Sequence, residues 1–245
     1  MHHRREYHTD VLILCGGLGK RLRSVVSDKP KPLAQINKRA FLDLLIDHIV
    51  GYGFKRFILC TGYMGSAIAE HYGKLSKSVE ILFSQEEQPL GTAGAVKNAE
   101  SLIRSDPFLV ANGDSFCQVN LSEFLNFHQK NSAQLSMAVT RSQNSKDFGT
   151  ITLNDSQEIV RFEEKKAGTR EAFINAGIYL MQKNVLSLIP PGRKRSLEVD
   201  LFPQLAGRDF YGYVVSSKVI DIGTPERYEQ AVSFFSRHKS KLGLQ

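Results

Sequence analysis

The chain alternates short, almost wholly apolar runs with longer stretches in which apolar residues return every three or four positions. Val11 to Cys15, Phe57 to Thr61, Val79 to Phe83 and Phe108 to Ala111 are apolar enough to be strands buried on both faces. Around them, Phe41 to Tyr52, Gly65 to Tyr72, Ala93 to Ile103 and Ser122 to Gln129 carry helical spacing. Strands that alternate with helices predict an α/β fold with a parallel, doubly wound sheet and helices on both faces. Such a sheet gathers its ligands beyond the carboxyl ends of the strands, and the glycines after Leu14, then Gln85, then Asp114, all fall there. From Leu135 onward β-rich segments take over: Leu135 to Thr140, Thr150 to Leu153, Ile159 to Phe162 and Ile174 to Leu180, with helices near Leu197 to Leu205 and Glu226 to Phe235. No linker-like tract divides the two patterns. A single domain over 1–245 is expected, with halves at about 9–134 and about 135–237.

Composition narrows the class. At 245 residues, 42% hydrophobic and 23% charged, the chain can bury a substantial core as one domain. No apolar run reaches the roughly 18 residues of a membrane span, and the start, with His2, His3, Arg4 and Arg5, leads into a strand rather than a cleavable apolar segment. Neither a membrane nor export is expected, and the cytoplasm is the predicted compartment. Cys15, Cys60 and Cys117 are odd in number and lack Cys-x-x-Cys spacing, so they are read as reduced core residues. The formal charge of +7 suits anionic small molecules and nucleic acid alike. The excess lies in Arg4-Arg5, Arg193-Lys194-Arg195 and Arg237 to Lys241, without interleaved aromatics for stacking bases, and these clusters are read as solvated surface with no nucleic-acid partner.

The densest chemistry follows the first strand. Gly16-Gly17-Leu18-Gly19-Lys20-Arg21-Leu22 is followed, a few residues on, by Lys29-Pro30-Lys31-Pro32-Leu33. Glycines there free backbone N–H groups to face a phosphate chain, while Arg21 and Lys31 supply positive charge. A dinucleotide fingerprint fails: counted from Gly17 its sixth position is Leu22, and counted from Gly16 its third is Leu18. A Walker loop fails as well, since Gly19-Lys20 is followed by Arg21 and Leu14 stands where its first glycine belongs.

These residues resemble the signature of the sugar-1-phosphate nucleotidyltransferases, which join a nucleoside triphosphate to a sugar 1-phosphate and release pyrophosphate. The resemblance continues in order through Gln85-Glu86, Leu90 to Ala95, Asn112-Gly113-Asp114, Phe148-Gly149, Phe162 to Lys165, Asn175-Ala176-Gly177 and Asp221 to Pro225. Within the family, Leu22 to Asp28 is most similar to the D-glycero-D-manno-heptose 1-phosphate guanylyltransferases. The resemblance implies a Rossmann-like, GT-A-like fold whose first half binds nucleotide and whose β-rich half binds sugar. It implies GMP transfer from GTP to heptose 1-phosphate, giving a GDP-heptose for a surface glycan such as capsule, S-layer glycoprotein or lipopolysaccharide.

By the same resemblance, Leu14, Gly16, Gly17, Gly19, Arg21, Gln85, Gly91 and Thr92 hold the nucleotide, with Gln85 meeting the base. Gly149, Glu164, Lys165, Asn175 and Gly177 hold the sugar phosphate. Arg21, Lys31, Asp114 and Asp221 form the catalytic group, and Asp114 and Asp221 bind Mg²⁺, a hard cation that accepts two carboxylates alongside phosphates and waters. Gln85 carries both donor and acceptor atoms, so UTP- and dTTP-dependent transfer to N-acetylmuramic acid or glucose 1-phosphate stays open. So does a homo-oligomer. A reading from another class, a non-catalytic nucleotide-sugar-binding regulatory subunit, is opposed by the presence of Arg21, Lys31, Asp114 and Asp221.

Overall fold

The computed structural model describes residues 6–73, 79–143, 148–164 and 171–238. Strand β1 (Val11–Leu14) is followed by a small hairpin of β2 (Gln35–Ile36) and β3 (Arg39–Ala40), then by β4 (Arg56–Thr61), β5 (Glu80–Gln85) and β6 (Phe108–Asn112). Helices α1 (Phe41–Val50), α2 (Gly65–Gly73) and α3 (Gly91–Asn98) alternate with these strands. Strands β5, β4, β1 and β6 lie side by side in that order, all parallel, with Val11 level with Phe57 on one side and Leu109 on the other. At its base Asp10 is buried and paired with Arg56 at 2.7 Å, and it accepts from Ser105 N at 2.9 Å.

After β7 (Ser115–Phe116) and α4 (Leu121–Lys130), the chain forms β8 (Leu135–Ser142), β9 (Thr150–Leu153), β10 (Ile159–Glu163) and β11 (Ala172–Met181). The long strand β11 is antiparallel to β6 through Ile178 opposite Ala111, and it also pairs with β8 and β9. One sheet therefore runs from the glycine loop to the β-rich part. Helix α5 (Phe202–Leu205), strand β12 (Phe210–Val215), strand β13 (Ile220–Asp221) and helix α6 (Pro225–His238) complete the described chain. Strand β12, which the apolar pattern had not marked, adds to the sheet parallel to β8.

The unbroken apolar runs of β1, β4 and β6 make sense because each sheet face carries its own core, whereas β5, at the edge of the sheet, is only partly buried, with Phe83 37% exposed. Val11, Ile13, Phe57, Leu59, Leu109 and Ala111 face a core that includes residues of α1, α2, α4 and α6. Their neighbours Leu12, Ile58, Cys60, Phe108 and Val110 face a second core with α3 and α5. The fold is thus α/β, doubly wound over its parallel part. One element departs from expectation: Leu197 to Leu205 is not a single α-helix but a wide π-type turn, Leu197–Leu201, running into α5. Pro203 has no N–H to give to the preceding turn, and Ser196 caps the start by accepting from Glu198 N and Val199 N. Among the described residues no helix is long and apolar enough to cross a membrane.

Candidate active site

A cavity of about 370 Å³ opens at the carboxyl ends of the parallel strands. Leu14, Cys15, Gly16, Gly17 and Leu18 form one wall, Glu86, Pro89, Gly91, Thr92 and Ala95 a second, and Lys31, Asn112 and Asp114 are also part of its lining. Gly19 takes a left-handed conformation, φ 59°, and starts the short turn Lys20–Leu22 that presents Arg21. The second basic residue comes from the turn Lys31–Leu33, begun by Pro30 in an extended conformation and carrying Pro32 in its first turn, where a missing N–H costs nothing.

Four charged side chains expected to work together do converge. Lys31 Nζ lies 2.6 Å from Asp114 Oδ2. Asp221 is brought beside Asp114 by the antiparallel pair β7–β13, where it faces Ser115 and where Ile222 N donates to Asp114 O at 3.1 Å. Gly223 sits at the centre: the point where a Cβ would stand is 2.7 Å from Asp221 Oδ1 and 3.7 Å from both Arg21 Nη2 and Lys31 Nζ. Asp221 also accepts from Gly223 N at 2.8 Å and pairs with Arg227 at 3.2 Å. Thr224 caps α6 by accepting from Arg227 N, which fixes the segment carrying Asp221.

The two aspartates offer hard oxygen donors side by side, and no cluster of three or more His, Cys, Asp or Glu stands among the described residues. Two carboxylates that leave further positions to phosphate oxygens and water are what Mg²⁺ accepts, so the donor set fits this ion.

The residues assigned to the sugar meet on the β-rich side. Glu164 Oε2 is 3.1 Å from where a Cβ on Gly149 would stand, and Asn175 N donates to Gly149 O. Asn175 Oδ1 accepts from Gly177 N at 2.8 Å and its Nδ2 donates to Tyr179, so this side chain shapes the strand around it. Gly177, at φ 75°, presses against Ser115 and Asn112 and so joins this group to Asp114. Lys165 lies outside the described residues.

Three placements differ from expectation. Gln85 is exposed and is not part of the cavity lining, whereas Glu86 is. Thr92 spends its hydroxyl on the turn opposite, donating to Glu198 Oε2 and accepting from Leu197 N, both at 2.7 Å. Lys194, read as part of a solvated run, lines the cavity with Glu198, because Arg195 O accepts from Ala93 N and Gly94 N and draws its loop against α3. Gly91 allows that contact: a Cβ there would stand 2.5 Å from Arg195 O. No local signal marks Lys194 or Glu198; their place depends on a partner some hundred residues away in the chain. All three cysteines are free and buried, and burial pushes the Cys15 thiol well up.

Residues 10–238 match the family model described as nucleotidyl transferase. The chain belongs to the nucleotidyl transferase family. Within it, this nucleotidyl transferase is 34% identical over 91% of its length to the D-glycero-alpha-D-manno-heptose 1-phosphate guanylyltransferase of Aneurinibacillus thermoaerophilus, covering 96% of that protein. It is also 34% identical to the mannose-1-phosphate guanylyltransferase of Mycobacterium tuberculosis, of whose length it spans 63%. Among solved structures, the nucleotidyl transferase resembles HddC from Yersinia pseudotuberculosis with a TM-score of 0.83 at 31% identity, over 93% of this chain and 99% of that one. HddC has also been solved in complex with GMP-PN.

Proposed function

We propose that this nucleotidyl transferase moves GMP from GTP to D-glycero-D-manno-heptose 1-phosphate, releasing pyrophosphate and giving GDP-heptose. The observation that carries the reading is the convergence of Arg21, Lys31, Asp114 and Asp221 around Gly223, at the edge of a glycine-walled cavity. The 96% coverage of a heptose guanylyltransferase supplies the substrate class. The reaction is an in-line displacement: a phosphate oxygen of the sugar 1-phosphate forms a bond to the α-phosphorus as the bond to pyrophosphate breaks. No general base is needed, because a phosphate monoester has its second pKa near about 6 and is largely dianionic at neutral pH. Repulsion between anions is the barrier, and positioning with charge compensation lowers it.

In this reading Gly16, Gly17 and Gly19 seat the triphosphate, Arg21 holds the departing pyrophosphate, and Lys31 lies against the α-phosphate. Gly149, Glu164, Asn175 and Gly177 place the sugar, with Lys165 on its phosphate. Asp114 and Asp221 would hold Mg²⁺, whose chemistry is to neutralise phosphate oxygens as charge develops on them. The halves at about 9–134 and about 135–237 then act as one unit in the cytoplasm, where nucleoside triphosphates are supplied.

The test is pyrophosphate release from GTP, UTP, dTTP, CTP and ATP with Mg²⁺ and a panel of sugar 1-phosphates. Selective use of GTP with the heptose is expected; selective use of UTP or dTTP would overturn the substrate, and silence across the panel would overturn the activity. A second reading, transfer to mannose 1-phosphate, is favoured by the mycobacterial relative and is decided by the same panel.

A further inference from the structure

Arg227 stands where local energetics oppose it. It is the third residue of α6, at the helix end whose free N–H groups carry partial positive charge, and a cation there is unfavourable. What it gains is a place between two parts of the site. Nη1 is split between both oxygens of Asp221, 3.3 Å from Oδ1 and 3.2 Å from Oδ2, while Oδ1 also accepts from Gly223 N. The same guanidinium lies over the Phe148 ring, with Cζ 5.2 Å from the centroid, and Phe148 precedes Gly149 of the sugar group. Strong charge-assisted hydrogen bonds close to about 2.7–2.9 Å, and the contacts to Asp221 are longer. Both side chains keep some access to solvent, Arg227 at 23% and Asp221 at 15%, so a cation reaches the carboxylate without the fold opening. Arg21 and Lys31 stand near Gly223 as well, so Asp221 is not stranded when Arg227 leaves it.

We infer that Arg227 is an exchangeable counter-ion: it holds Asp221 until the divalent cation arrives and then takes the phosphate of the sugar substrate. This rests on the transfer to a sugar 1-phosphate proposed above and deepens it. The attacking phosphate joins the sugar to the α-phosphorus, so its place is between the Gly149, Glu164 and Asn175 group and the two aspartates. Arg227 spans that interval, with Asp221 at one end and Phe148 at the other. A cation on that phosphate lowers the repulsion that the two anionic substrates meet as they approach. A guanidinium suits the task, because it offers planar paired N–H donors to phosphate and stacks on an aromatic ring, which keeps it anchored on Phe148 while it changes partners. Before the metal binds, Asp221 neutralises the guanidinium, which then offers the sugar phosphate little.

Arg227→Gln should move two affinities in opposite directions. Protein-bound Mn²⁺, read by water proton relaxation with GTP present and sugar phosphate absent, should bind about 3- to 10-fold more tightly, because no ion pair has to be broken and one like charge is gone. Heptose 1-phosphate, titrated by calorimetry with Mg²⁺ and the α,β-methylene analogue of GTP so that no turnover occurs, should bind about 10- to 100-fold more weakly, the worth of a hydrogen bond to a charged group. Arg227→Lys, which keeps the charge and loses the fork, should restore the Mn²⁺ affinity and only part of the sugar affinity. Mn²⁺ binding that is unchanged or weakened in Arg227→Gln would show a clamp on Asp221 rather than a competitor for it and would overturn the inference. Unchanged sugar binding in that variant, or wild-type sugar binding in Arg227→Lys, would overturn it too. A wild-type panel that selects another nucleotide or sugar overturns the GTP and heptose reading alone; the same two affinities, taken with those probes, still decide the exchange.

Discussion

Lys31 and Asp114 hold one another at 2.6 Å, yet the Asp114 side chain is 44% exposed, and ion pairs of that kind contribute little to stability. Substrate can therefore part them at small cost. Lys31→Ala should lower kcat/KM for GTP by about 10² to 10³, the loss typical of removing one donor aimed at developing charge, while the melting temperature stays nearly constant. Asp221→Ala should keep the wild-type circular dichroism and lose Mg²⁺-dependent turnover; near-normal turnover would remove Asp221 from the mechanism. Each of these four charged residues was legible as a motif, and their proximity followed from the resemblance rather than from spacing. Glu86 was not legible as part of the cavity wall, because Gln85 before it has the more versatile side chain. Only the end of β5, where Gln85 turns outward and Glu86 crosses to Gly16, separates the two.

In the proposed reading, the element that joins the nucleotide residues to the sugar residues is β11. Its pairing with β8 shifts register between Asn175 and Tyr179, and Gly177 occupies the shift with φ 75°. Gly177→Ala would put a Cβ 2.7 Å from Ser115 Oγ and 3.0 Å from Asn112 Nδ2 in a backbone region that costs an L-residue roughly 1–2 kcal/mol. The expected outcome is a melting temperature lower by several degrees and a KM for the sugar phosphate raised more than that for GTP; an unchanged KM ratio would show that the shift serves packing alone. Most strands and helices were legible because apolar runs and helical spacing fix their type. Strand β12 was not, since Gly212 interrupts Phe210 to Val215 and its partner β8 lies far back in the chain. The π-type turn at Leu197–Leu201 was hidden for a related reason: its apolar spacing is helical, and Pro203 with the Ser196 cap decides its geometry.

Across the molecule, two buried histidines tie stability to pH. Burial lowers His48 and His128 from 6.5 to about 4, so the native state keeps both neutral, with His128 Nδ1 at 2.8 Å from Ser136 Oγ. The unfolded chain takes up those protons near pH 6.5, so their contribution is full above that value and is lost as pH falls toward 4. Each adds on the order of 1.4 kcal/mol per pH unit to the slope within that window. A melting temperature that drops between pH 6.5 and 4.5 is expected, with a shallower drop in a His48→Asn/His128→Asn double variant; equal slopes would place the acid lability elsewhere. The pairing of β7 with β13 has a temporal consequence. Asp114 is made midway through translation, but Asp221 reaches it only after nearly all the other sheet strands have left the ribosome and α6 can dock behind it. A chain stopped before β13 would lack the partner that sets Asp221 opposite Ser115, so in the proposed reading the pair of carboxylates is the last part of the site to be completed.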